Sequence, residues 1–256
     1  MDIKKDVQKQ FGRSADAYVK SKGHSKGADL KKLVEMACPT GREEVLDVAT
    51  GGGHTANALA PLVQKVTALD LTPEMLAAAE RFIKGNGHAN VVFVAGDAEK
   101  LPFPDETFDI VTCRIAPHHF PNVEHFIREA YRVLKAGGQF LVDDNVAPED
   151  DEFDHFYNEI EKMRDYSHYR AWKKTEWLQM LELNGFETQQ LYRFEKRFEF
   201  ESWCDRMHLS DIEKTALNEL IVKASEKVKH KFRIQLNDTQ VVSFLGEAML
   251  LQATKL

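Results

Sequence analysis

The chain has 256 residues, 43% of them hydrophobic, which is enough to build one α/β domain with a sizeable core. A formal net charge of −7 opposes a phosphate backbone, so no nucleic-acid partner is expected. The apolar runs are too short to cross a bilayer and Met1-Asp2-Ile3-Lys4-Lys5 carries no signal core, which predicts a cytoplasmic protein without stable membrane insertion; Cys38, Cys113 and Cys204 form no C-x-x-C pair, which argues against a disulfide framework and against a thiolate metal site.

In chain order, Val7, Phe11, Ala15 and Tyr18 recur at helical spacing and predict an amphipathic helix laid over a site, followed by a turn across Ser21 to Gly27. Val45-Leu46-Asp47-Val48 then runs into Thr50-Gly51-Gly52-Gly53 and resumes as helix, so it reads as strand, tight turn and helix start. Without a Cβ, Gly51 and Gly53 can take positive φ and let a bulky ligand touch the backbone, which is the signature of a nucleotide-type site. Lys65 to Asp70 reads as a second strand whose terminal Asp70 stands where a ribose-binding acid is expected, since a carboxylate accepts two hydroxyls side by side.

Thr72 and Pro73 start a helix with Met75, Leu76, Ala79, Phe82 and Ile83 on one apolar face, ended by Gly85. Val91 to Ala95 is a third strand leading into Gly96-Asp97-Ala98. A fourth strand is predicted near 108–113, then a helix capped by Asn122 and closed by Lys135 and Gly137, and a fifth strand near 138–144. This rhythm predicts a parallel sheet with right-handed crossovers and a ligand outside the carboxyl ends of the strands.

Past the fifth strand the pattern changes. Phe153, Phe156, Tyr157, Ile160, Met163 and Tyr166 recur at helical spacing and predict a helical lid. Trp172, Trp177, Phe186, Tyr192, Phe194, Phe198, Phe200 and Trp203 surround a sixth strand, and those not taken up by the core would line an aromatic pocket. A helical region follows from about 210 to 231; its basic cluster, Lys223 to Arg233, reads as a solvated helix face. Residues 240–244 and 249–254 are two further strand candidates.

Five segments, in this order and spacing, resemble the motif set of class I S-adenosylmethionine-dependent methyltransferases, in the group similar to the ubiquinone/menaquinone-biosynthesis C-methyltransferases. They are Val45 to Gly53, Val66 to Asp70 with Thr72-Pro73-Glu74-Met75-Leu76, Gly96-Asp97-Ala98-Glu99 with Leu101-Pro102-Phe103, Phe108-Asp109-Ile110-Val111, and Arg132-Val133-Leu134-Lys135-Ala136-Gly137-Gly138, together about residues 40 to 145. The resemblance implies an α/β fold with a doubly wound, mostly parallel seven-stranded Rossmann-like sheet whose last strand lies antiparallel beside the fifth. It implies S-adenosylmethionine as cofactor, in a single domain over 1–256: an N-terminal gate at 1–40, a cofactor-binding core at 41–147, a lid insertion at 148–175, and a C-terminal half at 176–256 that completes the sheet and substrate pocket.

The cofactor contacts implied for this sequence are Asp47, Thr50, Gly51 and Gly53 on the first turn, then Asp70, Leu71 and Met75 after the second strand. Gly96, Asp97 and Ala98 follow after the third, with Asp97 and the Ala98 backbone on the adenine edge, and Arg114 after the fourth; Tyr18 and His24 close from the gate. Asp47 inside a strand also favours a sulfonium amino acid over a dinucleotide, because a buried carboxylate is costly without a cation or several donors.

Methyl transfer from a sulfonium asks the protein to orient, to exclude water and, for a protonated nucleophile, to remove a proton. His118 and His119 after the fourth strand and Asp144 at the end of the fifth are the base candidates, with His119 and Asp144 favoured. Arg114 leading to Pro117-His118-His119-Phe120, and Asp143-Asp144-Asn145, depart from the quinone enzymes' Arg-Asn-Val and Glu-Phe-Ser segments, so the donor site carries over and the acceptor does not. The reading is therefore methylation of a small-molecule acceptor, phenolic or quinone-like by lid composition, with no oligomeric state indicated. A silent member of the fold that binds the donor as sensor or scaffold stays open, as does another use of the adenosyl cofactor.

Overall fold

In the central strands, neighbouring side chains go to opposite faces, and both faces are apolar. Leu46, Val111 and Phe140 join one core cluster while Val45, Ile110 and Leu141 join another. A strand buried on both sides needs cover on both, which is the physical reason for three layers. The computed structural model of the chain describes residues 3–13, 15, 19 and 27–256.

Helix α1 (Ile3–Gly12) and helix α2 (Ala28–Ala37) precede strand β1 (Glu44–Val48). There follow α3 (His54–Leu59), β2 (Lys65–Asp70), α4 (Pro73–Gly85), β3 (Val91–Ala95), β4 (Phe108–Arg114), α5 (Val123–Val133) and β5 (Leu134–Val146). The C-terminal part holds α6 (Asp151–Arg164), α7 (Lys174–Leu183), β6 (Phe186–Glu199), α8 (Phe200–Asp205), α9 (Asp211–Val222), α10 (Glu226–Lys231), β7 (Gln235–Asn237) and β8 (Gln240–Lys255). The sheet runs β3-β2-β1-β4-β5-β8-β6, with β7 paired to β8. Pairing is parallel from β3 to β5 and antiparallel from β5 onward, so the doubly wound, mostly parallel sheet has seven strands on its main path and an eighth in the β7–β8 hairpin.

Three local expectations change. The helix expected to run to Gly137 stops at Val133, because Leu134 already pairs with Phe108 as strand; Lys135 instead reaches Asp109 at 2.8 Å. The two strand candidates near the C-terminus are one continuous β8, joined through Gly246, where an added Cβ would lie 2.6 Å from the Phe198 ring. The expected lid does not pack alone: Phe156, Tyr157 and Ile160 share a third core with Phe200, Trp203, Leu217, Phe232 and Phe244. That core takes up Phe198, Phe200 and Trp203 of the aromatic residues expected to line a pocket, while Trp172, Trp177 and Phe186 pack on one side of the sheet and Phe194 on the other. The basic cluster behaves as a helix surface, with Val228 and Phe232 turned inward. No helix among the described residues is long and apolar enough to cross a membrane.

Candidate active site

The carboxyl ends of β1 to β4 open into one cleft of about 1010 Å3. Asp47, Thr50, Gly51, Asp70, Leu71, Met75, Gly96, Asp97, Ala98 and Arg114 all line it. Two residues at its floor are non-glycine with positive φ, Ala49 at 52° and Ile115 at 56°, immediately after β1 and β4. For the β-branched Ile115 this is a strained conformation, costing about 1–3 kcal/mol, of the kind that persists where surrounding structure over-determines it.

Four carboxyl groups line the cleft, those of Asp47, Asp70, Asp97 and Glu99. Asp47 is buried, accepts hydrogen bonds from Thr50 Oγ1 at 2.6 Å and Thr112 Oγ1 at 2.8 Å, and burial pushes its pKa up to about 6. The Arg114 charge and the Ala56 N–H offset that burial only in part, and a carboxyl that near to neutrality is stabilised in its charged form by any further cation that reaches it. Asp70 is also raised by burial, partly offset by the N–H groups of Thr72 at 2.9 Å and Gly51 at 2.8 Å, and its backbone carbonyl accepts from Gly96. Asp97 is more exposed; its Oδ2 lies 2.6 Å from Lys4 Nζ, which also contacts Glu99 at 2.6 Å.

The two glycines separate in role. Gly51, at φ 55°, lines the cleft, and a Cβ there would meet only the end of Met75 at 3.5 Å and the Ala49 carbonyl at 3.9 Å. Gly53, at φ 81°, does not line the cleft: a Cβ would lie 2.9 Å from Ile83 Cδ1 and 3.0 Å from Ala79 Cβ. Gly53 therefore lets α3 pack on α4, and its expected contact with a ligand is replaced by that packing role.

The gate is partly visible. Val7 and Phe11 of α1 line the cleft, and Phe11 and Ala15 pack with Met75 and Ala78. Tyr18 and His24 lie outside the described residues. The helical spacing that marked Val7 and Phe11 also puts Lys4 on their face, a signal sequence reading passed over. Asp29 on α2 was missed too; it holds Arg114 Nη1 at 2.7 Å, and no local motif announces that pairing.

After β4, a short 3-10 turn, Pro117–His119, carries both histidines into the interior. His119 lines the cleft and stands edge-on to Phe11, ring centroids 5.0 Å apart. Its Nδ1 lies 3.0 Å from the Ser167 carbonyl oxygen, which accepts only, so Nδ1 carries the proton and Nε2 presents a lone pair. Burial, then the neighbouring His118, hold its pKa down to about 4. His118 is different: burial opposes its charge, but Asp144, 2.6 Å from Nδ1, overrides this and raises its pKa. Asp144 Oδ1 also accepts from the Asn145 N–H, and Asp144 lines neither this cleft nor the one beside it. Asp144, expected as a base, thus lines neither chamber and pairs with His118 instead.

A second cavity adjoins the first and shares Phe11, Ile115 and His119 with it. Residues from the loop after α6 tie its wall to the histidine turn: the Tyr169 and Arg170 N–H groups donate to the His118 carbonyl at 2.8 and 3.0 Å. The arrangement is a cleft lined by acids, a second chamber beside it, and a neutral imidazole that lines both.

The family described as methyltransferase domain matches residues 46–142. An uncharacterized methyltransferase, YcgJ of Bacillus subtilis, is 39% identical over 247 residues, covering 96% of this chain and 97% of that relative. This chain belongs to the methyltransferases. A crystal structure of a protein assigned to the same class, from Bacillus halodurans C-125, superposes with a TM-score of 0.88 at 57% identity over 90% of this chain and 99% of that one. A demethylmenaquinone methyltransferase of Thermotoga maritima is 35% identical over 146 residues, 54% of this chain and 61% of that enzyme. The fold is that of class I S-adenosylmethionine-dependent methyltransferases, and S-adenosylmethionine is the methyltransferase's donor.

Proposed function

We propose that this methyltransferase methylates a small molecule that enters through the second cavity, with His119 as the base. The observation that carries this reading is that His119 lines both chambers and offers Nε2 while its Nδ1 is held by Ser167. In the donor cleft, Asp47 would hold the donor's ammonium, Asp70 its ribose hydroxyls, and Asp97 with the Ala98 N–H its adenine edge. The chemistry of these groups fits: a buried acid raised by desolvation suits a cation, and a turn free of Cβ at Gly51 admits the ligand.

S-adenosylmethionine, when bound, supplies a sulfonium methyl; the acceptor atom bonds that carbon as the S–CH3 pair returns to sulfur, leaving S-adenosylhomocysteine. His119 takes the acceptor's proton at Nε2. A pKa near 4 keeps that nitrogen unprotonated at neutral pH, free to accept a proton whose acidity rises as the nucleophile bonds the methyl carbon. Phe11 and the burial of His119 exclude water from the transfer path. A quinone-like acceptor draws less support, because most aromatic side chains of the C-terminal part pack among themselves.

The test is S-adenosylhomocysteine release, with product mass, across phenolic, amine, carboxylate and quinol acceptors. Methylated product from at least one class, lost in His119→Ala, supports the reading. Donor binding without turnover on any class would favour the scaffold alternative.

A further inference from the structure

The second cavity, about 1070 Å3, is lined by more charge than an apolar acceptor needs. Four cationic side chains, Arg164, Lys196, Arg197 and Arg206, face three acids, Asp29, Glu161 and Asp165. Each acid already has its own partners. Asp29 holds Arg114 at 2.7 Å, Glu161 holds Arg164 at 2.8 Å, and Asp165 accepts from Ser167 through both Oγ at 2.5 Å and the backbone N–H at 2.8 Å. Arg164 also stacks on Trp203, 4.9 Å from the ring centroid, and Arg197 pairs with Glu199 at 2.6 Å outside the cavity.

Lys196, on β6, remains among the chamber's lining. It is half-buried and has no ion pair within 4 Å among the described residues. The acids nearest in influence are Asp29, committed to Arg114, and Asp143, whose carboxyl is kept protonated by burial near neutral pH. Arg206, which follows α8, lines the same chamber with Met207. Phe11, Ile115 and His119 line both this chamber and the donor cleft.

We propose that the methyl acceptor is an anion, carrying a carboxylate or phosphate that Lys196 and Arg206 hold while its nucleophilic end points at His119. This rests on the reading of the second cavity as the acceptor's chamber. A neutral acceptor would leave the half-buried Lys196 ammonium without an ion pair of its own, and a cationic one would meet repulsion; an anion pairs with Lys196 and fixes the acceptor's orientation at the same time.

The experiment uses the full chain saturated with S-adenosylhomocysteine, into which inorganic phosphate or acetate is titrated by calorimetry at ionic strength held constant with chloride. Saturable binding of either anion is expected, tighter for phosphate if the acceptor is a phosphate ester and comparable for acetate if it is a carboxylate. A Lys196→Gln/Arg206→Gln double variant is expected to weaken that binding ten-fold or more with unchanged S-adenosylhomocysteine affinity and melting temperature, and Lys196→Arg is expected to retain it. Absence of saturable anion binding in the donor-saturated protein, or equal binding in the double variant, overturns the proposal. Failure of the first titration, that of S-adenosylhomocysteine itself, would instead strike the donor-site reading, so the two failures are told apart.

Discussion

His118 and Asp144 meet at 2.6 Å, Nδ1 to Oδ1, beneath a second imidazole whose protonation runs the opposite way. Their rings, His118 and His119, are 4.2 Å apart, and one charge cannot be placed on both at that separation without cost. Asp144 sets the two rings apart: it favours the charged form of His118 and raises its pKa, whereas His119, held down to about 4, faces the cleft neutral. Two adjacent histidines thus acquire different chemistry from one carboxyl group.

Asp144→Asn is expected to raise the pKa of His119. Removing Asp144 discharges His118, and His118 depresses His119 more than Asp144 supports it. If His119 is the base, turnover is lost as pH falls through its pKa, near 4 in the wild type, so the acid limb of the pH–rate profile moves upward in the variant. Imidazole titration by NMR checks the same shift without turnover. An unmoved His119 titration would show that Asp144 does not act through His118.

His119→Ala is expected to lower turnover by about 10²–10⁴-fold, the usual contribution of a positioned base, with little change in S-adenosylhomocysteine affinity. A fall in donor affinity with turnover retained at saturating donor would mean that the ring only shapes the cleft, since Phe11 leans on its face.

The two turn glycines are expected to fail differently. Gly51→Val places its side chain in the cleft near Met75 and raises the dissociation constant of S-adenosylhomocysteine with a modest drop in melting temperature. Gly53→Val drives a branched side chain into Ile83 and Ala79 at a positive φ, and overpacking of that kind costs about 1–3 kcal/mol. Calorimetry beside thermal melts separates the outcomes; equal loss of donor affinity at matched stability would return Gly53 to the ligand.

Asp70→Ala is expected to weaken S-adenosylhomocysteine binding roughly ten-fold or more, from the loss of ~1.5–3 kcal/mol of charge-assisted hydrogen bonds. The same carboxyl braces the Gly51 and Thr72 N–H groups, so the variant's melting temperature is measured alongside. Unchanged affinity in a folded variant removes Asp70 from the site.

The parallel half of the molecule was legible because its signals are local: β-branched runs end in Gly51, Asp70 and Asp97, and each such end is a cleft wall. The C-terminal half was less so. Phe156, Trp203 and Phe244 have the composition of a pocket, yet they meet one another across long stretches of chain and close a core, a pairing that no spacing encodes. Lys196 illustrates the converse: a charge on an alternating strand looks solvent-facing, and only the fold brings it into one chamber with His118 and His119. Asp144 looked like a base because it ends β5, but the strand's alternation turns it under His118.

Asp143, one residue earlier on β5, is expected to make stability fall with rising pH. It is fully buried, no donor reaches either oxygen, and burial pushes its pKa up to about 8, against an ordinary 3.8 in an unfolded chain. Below pH ~4 both states hold the proton and Asp143 contributes no slope. Between ~4 and ~8 the unfolded chain releases it while the folded protein keeps it, so the folded state loses on the order of 1 kcal/mol per pH unit from this group. Above ~8 both states are ionised and the slope ends. Asp143→Asn carries no titrating proton and keeps a side chain able to donate to the Asp29 carboxylate, so its stability is expected to exceed the wild type's at pH 8 by more than at pH 5. Urea unfolding at both values measures the difference, and a gap that does not widen with pH would mean that Asp143 is ionised in the folded protein, with Lys196 as its counter-charge.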